Sequence, residues 1–379
     1  MIIVLSKYCT SLTKYGVGDN LRSEKLSTQL PRVLTRGDLM DDRKRRVLLA
    51  IIQDYILTAE PVGSRTISRK YDIGVSPATI RNEMADLEEM GYIEQPHTSA
   101  GRIPSDKGYR YYVDFLMERL RLSEEEESFI YQYYDRKIAE LEEVIRITSE
   151  LISKLTSYAA ITLGPLSGSS TIKFIDLTSI DEERALLVVV TDTGLVEHRF
   201  VDVPEYISPR DMDMVSRVLR QKLRGLTLNE ISKTLFDEIR LEVKLQNDFL
   251  FDILDLIDQV LQGEDCRNIY MDGALNIMKH PEFKSIEKVQ SLLGLLQEKE
   301  VIRSLMTQPM PEGLTVRIGG ENSYEGIHDC SLITATYSLD NQIVGTVGVL
   351  GPTRMEYSKA ISIVECITQV LSEVLSKYY

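Results

Sequence analysis

Apolar residues Val47, Leu48, Ile51, Ile52, Tyr55 and Ile56 recur at helical spacing. They lie behind a basic cluster, Arg43, Lys44, Arg45 and Arg46, and the pattern stops at Pro61 and Gly63. Ser64 can cap a short second helix over 65–71, followed by a turn at 72–74. Ser76 followed by Pro77 is a helix start: a hydroxyl N-cap, then a proline at the first helical position, where its missing N–H costs nothing. The third helix is predicted over 77–90, with Gly91 as its left-handed C-cap. Ile80, Met84 and Leu87 share one face of it, and Ala78, Arg81, Asn82 and Ala85 point the opposite way. A short strand at 92–95 and its return at 103–104 enclose the polar loop Pro96-His97-Thr98-Ser99-Ala100-Gly101-Arg102. Ser105 then caps a helix carrying Tyr109, Tyr112, Val113 and Leu116. Helix–helix–helix–strand–loop–strand is the order of a winged helix-turn-helix.

Beyond this unit the pattern changes. Ser123 with Glu126 matches a capping box ahead of a long helix. Within it Tyr134, Ile138, Leu141, Ile145, Thr148, Ile152, Leu155 and Ala159 form a heptad seam, able to pair with a second chain or to pack on a sheet of its own domain. Residues 163–170 are linker-like. Strands are predicted at 171–178, 184–191 and 195–203, joined by turns short enough for a meander. Helical patterns follow at 209–225, 229–235 and 238–261, the last with an apolar surface of Phe249, Phe251, Ile253, Leu254 and Ile257. These strands and helices form either a separate unit closed by 262–267 or part of one continuous α+β core. After Cys266 come a strand at 269–272, helices with Leu292, Leu293, Leu295 and Leu296, strands at 314–318, 331–338 and 343–350, and a final helix over 356–375.

The chain has 379 residues, room for two or three domains of roughly 100–200 residues each. At 43% apolar and 27% charged it is an ordinary globular mixture, which excludes a disordered or collagen-like chain. The apolar run 185–190, matched in length only by 47–52, is far short of the roughly 20 residues of a membrane span. Ile2–Leu5 is too short for a signal-peptide core, so a cytoplasmic protein is expected. Cys9, Cys266, Cys330 and Cys366 are far apart, without the spacing of a zinc or redox pair.

A net charge of −14 at first argues against nucleic acid. Divided along the chain it does not. Residues 1–40 hold six Lys/Arg and three Asp/Glu (+3), residues 41–112 hold eleven of each, and residues 113–379 hold 27 basic and 44 acidic (−17). The acid belongs to the C-terminal two-thirds, and the N-terminal part is free to present basic charge locally.

The outward face of the third helix suits reading of a DNA major groove. Asn82 can take an adenine edge, Arg81 a guanine or a phosphate, and Ala78 a thymine methyl. The plainer reading is a solvated face. Ser76, Thr79, Arg102, Lys107 and the cluster from Arg43 to Arg46 are candidates for backbone or wing contacts, and His97 for a hydrogen bond in the wing loop rather than catalysis or ligation. No phosphate-binding loop, zinc-protease or nucleophile-elbow motif is present. Gly345, Gly348 and Gly351 are not spaced as a dinucleotide fingerprint, and His198, His280 and His328 suggest no shared metal. Neither catalysis nor a cofactor is implied.

Three stretches carry a family likeness: Val75-Ser76-Pro77-Ala78-Thr79-Ile80-Arg81-Asn82-Glu83-Met84, the loop from Gln95 to Pro104, and Gly108-Tyr109-Arg110-Tyr111-Tyr112. With Val316-Arg317-Ile318-Gly319 and Gly351-Pro352-Thr353-Arg354-Met355-Glu356-Tyr357, they closely resemble the heat-inducible transcription repressor HrcA family of bacteria. The likeness runs from about residue 40 to the C-terminus. It implies an α+β protein: a winged-helix DNA-binding domain at 40–110 and a GAF-like domain at 111–170 and 265–379, split by an inserted dimerising domain at 171–264. It also implies a homodimer on the CIRCE inverted repeat of chaperone operons, supported by a GroEL-type chaperonin, with no role at a membrane. Members usually begin near what is here Met40, so residues 1–39 read as a translation start placed too far upstream, or as a basic arm adding phosphate contacts. The reading from another class is a small-molecule sensor with an effector in the GAF-like cleft; a third is a chaperone-interacting scaffold indifferent to DNA sequence.

Overall fold

The computed structural model describes residues 40–98, 100–135, 141–164, 171–181, 183–192, 196–205, 207–226, 235, 238–239, 253–254, 257, 269–307, 313–339 and 342–378. The extension at 1–39, the linker at 165–170, Phe249, Phe251, the closing segment 262–267 and most of the helices expected at 229–235 and 238–261 lie outside the described residues. Helix and antiparallel sheet are mixed throughout, so the chain is α+β.

Helices α1 (Asp42–Thr58), α2 (Ser64–Lys70) and α3 (Pro77–Glu89) pack on one another through Leu48, Ile51, Ile67, Ile80 and Leu87, each fully buried. Ser64 is not the cap of α2 but its first residue, buried, with Gly63 in the capping position. The short hairpin β1 (Ile93–Glu94) and β2 (Ile103–Pro104) follows, with Ile93 opposite Pro104. Ser105 caps α4 (Asp106–Tyr111) by accepting from Gly108 N at 3.1 Å, and a π-turn over Tyr112–Leu116 continues it.

The predicted long helix is helical at Glu124–Asp135 (α5) and at Leu141–Thr156 (α6), and residues 136–140, with the seam position Ile138, lie outside the described residues. Its capping box is present: Ser123 N donates to Glu126 Oε2 at 3.0 Å and Glu126 N to Ser123 Oγ at 3.2 Å. The heptad seam does not reach Ala159. Ser157 takes φ +60, the helix stops, and β3 (Ala159–Leu163) begins, where the sequence pattern suggests helix and then linker. Tyr134, Ile145, Thr148 and Ile152 of the seam are buried within the chain's own core.

Five strands make an antiparallel sheet in the order β7 (Ile269–Asp272), β3, β10 (Gln342–Pro352), β9 (Cys330–Leu339), β8 (Leu314–Ile318). Strand alternation sends the two sets of side chains to different cores. Ala160, Ile333, Ala335, Tyr337, Val347 and Val349 join α6 and the last helix α10 (Tyr357–Tyr378). Ile161, Leu163, Leu332 and Leu350 join α8 (Ile286–Gln297) and α9 (Lys299–Thr307) on the other face. The core on the α6–α10 face also takes in α1–α3 and α4, one contiguous apolar cluster.

A second sheet, β4 (Ile172–Ser179), β5 (Arg184–Thr191) and β6 (Val196–Asp202), is the expected meander. Its inner residues, Ile175, Leu187, Val189 and Val201, pack with α7 (Pro209–Leu223) in a core of their own. Ile253, Leu254 and Ile257, expected as an exposed apolar surface, are fully buried in that core instead. Exposed apolar side chains lie on the opposite sheet face: Phe174 (44% exposed) and Val196 (59%) flank Val190 of the central strand, and Phe200 (61%) lies beside Leu186.

Candidate nucleic-acid interface

Helix α3 is built from both ends as its sequence dictates. Ser76 Oγ accepts from Thr79 N at 3.2 Å and lies 3.0 Å from Thr79 Oγ1, a hydroxyl pair at the N-terminus in which only one hydroxyl donates to the other. At the other end Lys107 Nζ donates to Met90 O at 2.9 Å and sits 4.6 Å from the centre of the Tyr92 ring, while Ser105 Oγ donates to Gly91 O at 2.6 Å. Lys107 therefore caps α3, where a cation complements the helix dipole. Ile80, Met84 and Leu87 are buried, and Ala78, Arg81, Asn82 and Ala85 are exposed on the other face. Arg81 and Asn82 have no intramolecular polar partner among the described residues.

The basic cluster divides. Lys44 Nζ lies 2.9 Å from both Glu83 Oε2 and Asp86 Oδ2, and Arg43 Nη1 is 3.3 Å from Glu83 Oε1. Hydrogen bonding to Glu83, then to Asp86, raises the Lys44 pKa above its usual value, so the ammonium stays charged. These pairs tie α1 to the back of α3. Arg45 Nε donates to Tyr111 OH at 3.2 Å. Arg46 is exposed and, with Asp42, Arg45, Leu49 and Leu116, lines a shallow groove.

Arg102 stands at the foot of the hairpin loop. Its Nε and Nη2 approach Glu88 Oε2 of α3 at 3.0 and 2.7 Å, and its backbone exchanges two hydrogen bonds with Val62, 2.8 and 2.9 Å. His97 is exposed nearer the loop tip. Gln95, which the motif reading passes over, shapes this loop: its Nε2 donates to Thr98 O at 2.9 Å and Ala100 O at 3.1 Å. Arg65 and Arg69 of α2 are a second omission. They are four apart, hence on one helical face, exposed, and without an ion pair among the described residues. Their spacing is the only signal the sequence offers. No helix among the described residues is long and apolar enough to cross a membrane, and no metal-holding cluster occurs among them.

A three-helix unit with an open polar helix face is thus joined to a mixed helix-and-sheet body. Residues 142–361 match the family model described as the HrcA protein C-terminal domain. A heat-inducible transcription repressor HrcA of Pelotomaculum thermopropionicum is 52% identical over 339 residues, 89% of this chain and 97% of that one. Its counterpart from Moorella thermoacetica is 49% identical over 341 residues, covering 90% and 99%. A crystal structure described as a hypothetical protein, at 28% identity, aligns over 89% of this chain and 98% of that one with a TM-score of 0.57. The chain belongs to the HrcA family.

Proposed function

We propose that this chain is a transcription repressor that silences chaperone operons by occupying a CIRCE-type inverted repeat as a homodimer, and not an enzyme. The observation that carries the reading is the open face of α3: Arg81 and Asn82 are exposed near the helix N-terminus and have no polar partner among the described residues, while Lys44, Arg102 and Lys107 are engaged by Glu83, Glu88 and Met90 O. In this account α1–α3 with the β1–β2 hairpin form a winged helix-turn-helix. α3 enters the major groove, and Asn82 and Arg81 meet base edges, with Ala78 against the groove floor. Arg46, Arg65 and Arg69 join Thr79 in meeting phosphates, and His97 rides at the tip of the wing. Arg43, Lys44, Arg102 and Lys107 serve by fixing α3 and the wing.

The five-stranded sheet with helices on both faces supports the GAF-like domain, interrupted by the unit built on β4–β6. The exposed face of that unit, with Phe174, Val196 and Phe200, suits a second copy of the chain, because a monomer seldom leaves contiguous apolar surface in water. Two reading helices would then address half-sites about 34 Å apart, or a multiple of that. Chaperonin would raise the fraction of chains in the binding-competent fold and, when occupied by heat-damaged proteins, let repression lapse.

Asn82→Ala should lose about 1–3 kcal/mol of discrimination at one base pair in each half-site. Titrations of base-swapped operators measure this directly, and equal weakening on operator and random duplex would remove Asn82 from base reading.

A further inference from the structure

The two C-terminal motifs of the family likeness, around Val316–Gly319 and Gly351–Tyr357, take no part in the reading surface. Both hold the N-terminal unit. Arg354, on the turn between β10 and α10, is only 12% exposed in its side chain. Its Nη1 donates to Ile56 O at 2.9 Å, and its Nε donates to Glu282 Oε1. Ile56 lies in the last turn of α1, whose carbonyls have no partner within the helix. The guanidinium satisfies one of them and places positive charge at the negative end of the helix dipole.

Helix α4 makes a second attachment. Asp106 Oδ2 accepts from Gly320 N at 2.8 Å, and a Cβ on Gly319 (φ +52) would lie 2.1 Å from that same oxygen, so the motif admits the carboxylate only with glycine. Arg110 donates through Nε to Glu321 Oε1 at 2.8 Å and through Nη2 to Val316 O at 2.6 Å. The motif at 316–319 is thus the socket for α4, and the motif at 351–357 the clasp on α1.

We infer that Arg354, seconded by Arg110, is a positioning residue: it sets the direction in which α3 faces relative to the body, and so the half-site separation that the dimer accepts. Arg43 and Lys44 carry the constraint onward, because they bind α1 to Glu83 and Asp86 of α3. A planar, forked guanidinium serves Ile56 O and Glu282 at once, which a lysine's single ammonium does poorly. The inference rests on the proposed reading of an operator-binding homodimer.

The test uses full-length protein and three duplexes: a CIRCE-type inverted repeat, the same repeat with about five base pairs, half a helical turn, inserted at its centre, and a single half-site. The wild type should lose at least about 100-fold on insertion, because only one reading unit can then engage. Arg354→Met combined with Glu282→Gln leaves no carboxylate buried alone. It should hold the single half-site within about twofold of wild type while its insertion penalty falls below about tenfold, and Arg354→Lys should lie between. If the double variant does not fold, Arg110→Gln, whose partners are partly exposed, should reduce the penalty in the same direction. An unreduced penalty in a folded double variant, or in Arg110→Gln where the double variant fails to fold, overturns the inference. A wild type indifferent to the insertion overturns the operator reading itself, a result that requires no variant.

Discussion

Gly108→Ala is expected to destabilise the N-terminal unit severely and to abolish operator binding with it. A Cβ at Gly108 would sit 2.1 Å from the Tyr92 carbonyl oxygen and 3.2 Å from its carbon. The obstacle is backbone, and that oxygen already accepts a hydrogen bond from Ser105 N at 3.1 Å, so nothing nearby can turn aside. Inserting one methyl into a tight core ordinarily costs about 1–3 kcal/mol. Here the cost should reach or exceed the upper figure, because α4 must separate from the start of the hairpin. The separation would also break the caps that Lys107 and Ser105 place on the C-terminal end of α3. Urea unfolding and operator titration of the same preparation check both halves. Wild-type stability would mean that the close approach is not a constraint.

Ile51→Ala should cost about 2–5 kcal/mol, the range for truncating a fully buried aliphatic side chain. Its more informative consequence concerns cooperativity. Ile51 lies in one apolar cluster with Tyr109, Tyr357, Val364 and the sheet residues Val347 and Val349. The loss should therefore lower the transition that also unfolds the five-stranded sheet, not a separate early one. Far-ultraviolet circular dichroism during denaturation distinguishes the two, and a new first transition carrying only helical signal would show the N-terminal unit unfolding on its own.

The α3 region is legible residue by residue because local chemistry decides it. Ser76 and Pro77 fix its start, Gly91 (φ +77) marks its end, and the spacing of Ile80, Met84 and Leu87 selects the buried face. The meander β4–β6 is equally plain from its alternation and short turns. Strand β3 is not. Ala159–Leu163 is buried on both faces and shows no alternation, and the preceding helix stops at a left-handed serine with neither glycine nor proline to announce it. The fates of Arg43 and Lys44 were hidden for another reason: their carboxylate partners lie about forty residues away, and spacing says nothing of contacts made by folding. For Ile253, Leu254 and Ile257, periodicity identifies an apolar helix face but not what covers it; the sheet and α7 do. The open faces of α3 and of β4–β6 stand out only once the structure shows which neighbouring groups are buried or paired.

The most direct test of the account is fluorescence anisotropy of the full-length protein with a labelled CIRCE-type inverted repeat, set against a duplex with one half-site scrambled, across a salt series. A homodimeric repressor reading bases through α3 should bind the intact repeat at least about 100-fold more tightly, since scrambling removes one of two linked engagements. Equal, weak binding to both duplexes, falling together as salt rises, would contradict it and leave only phosphate attraction.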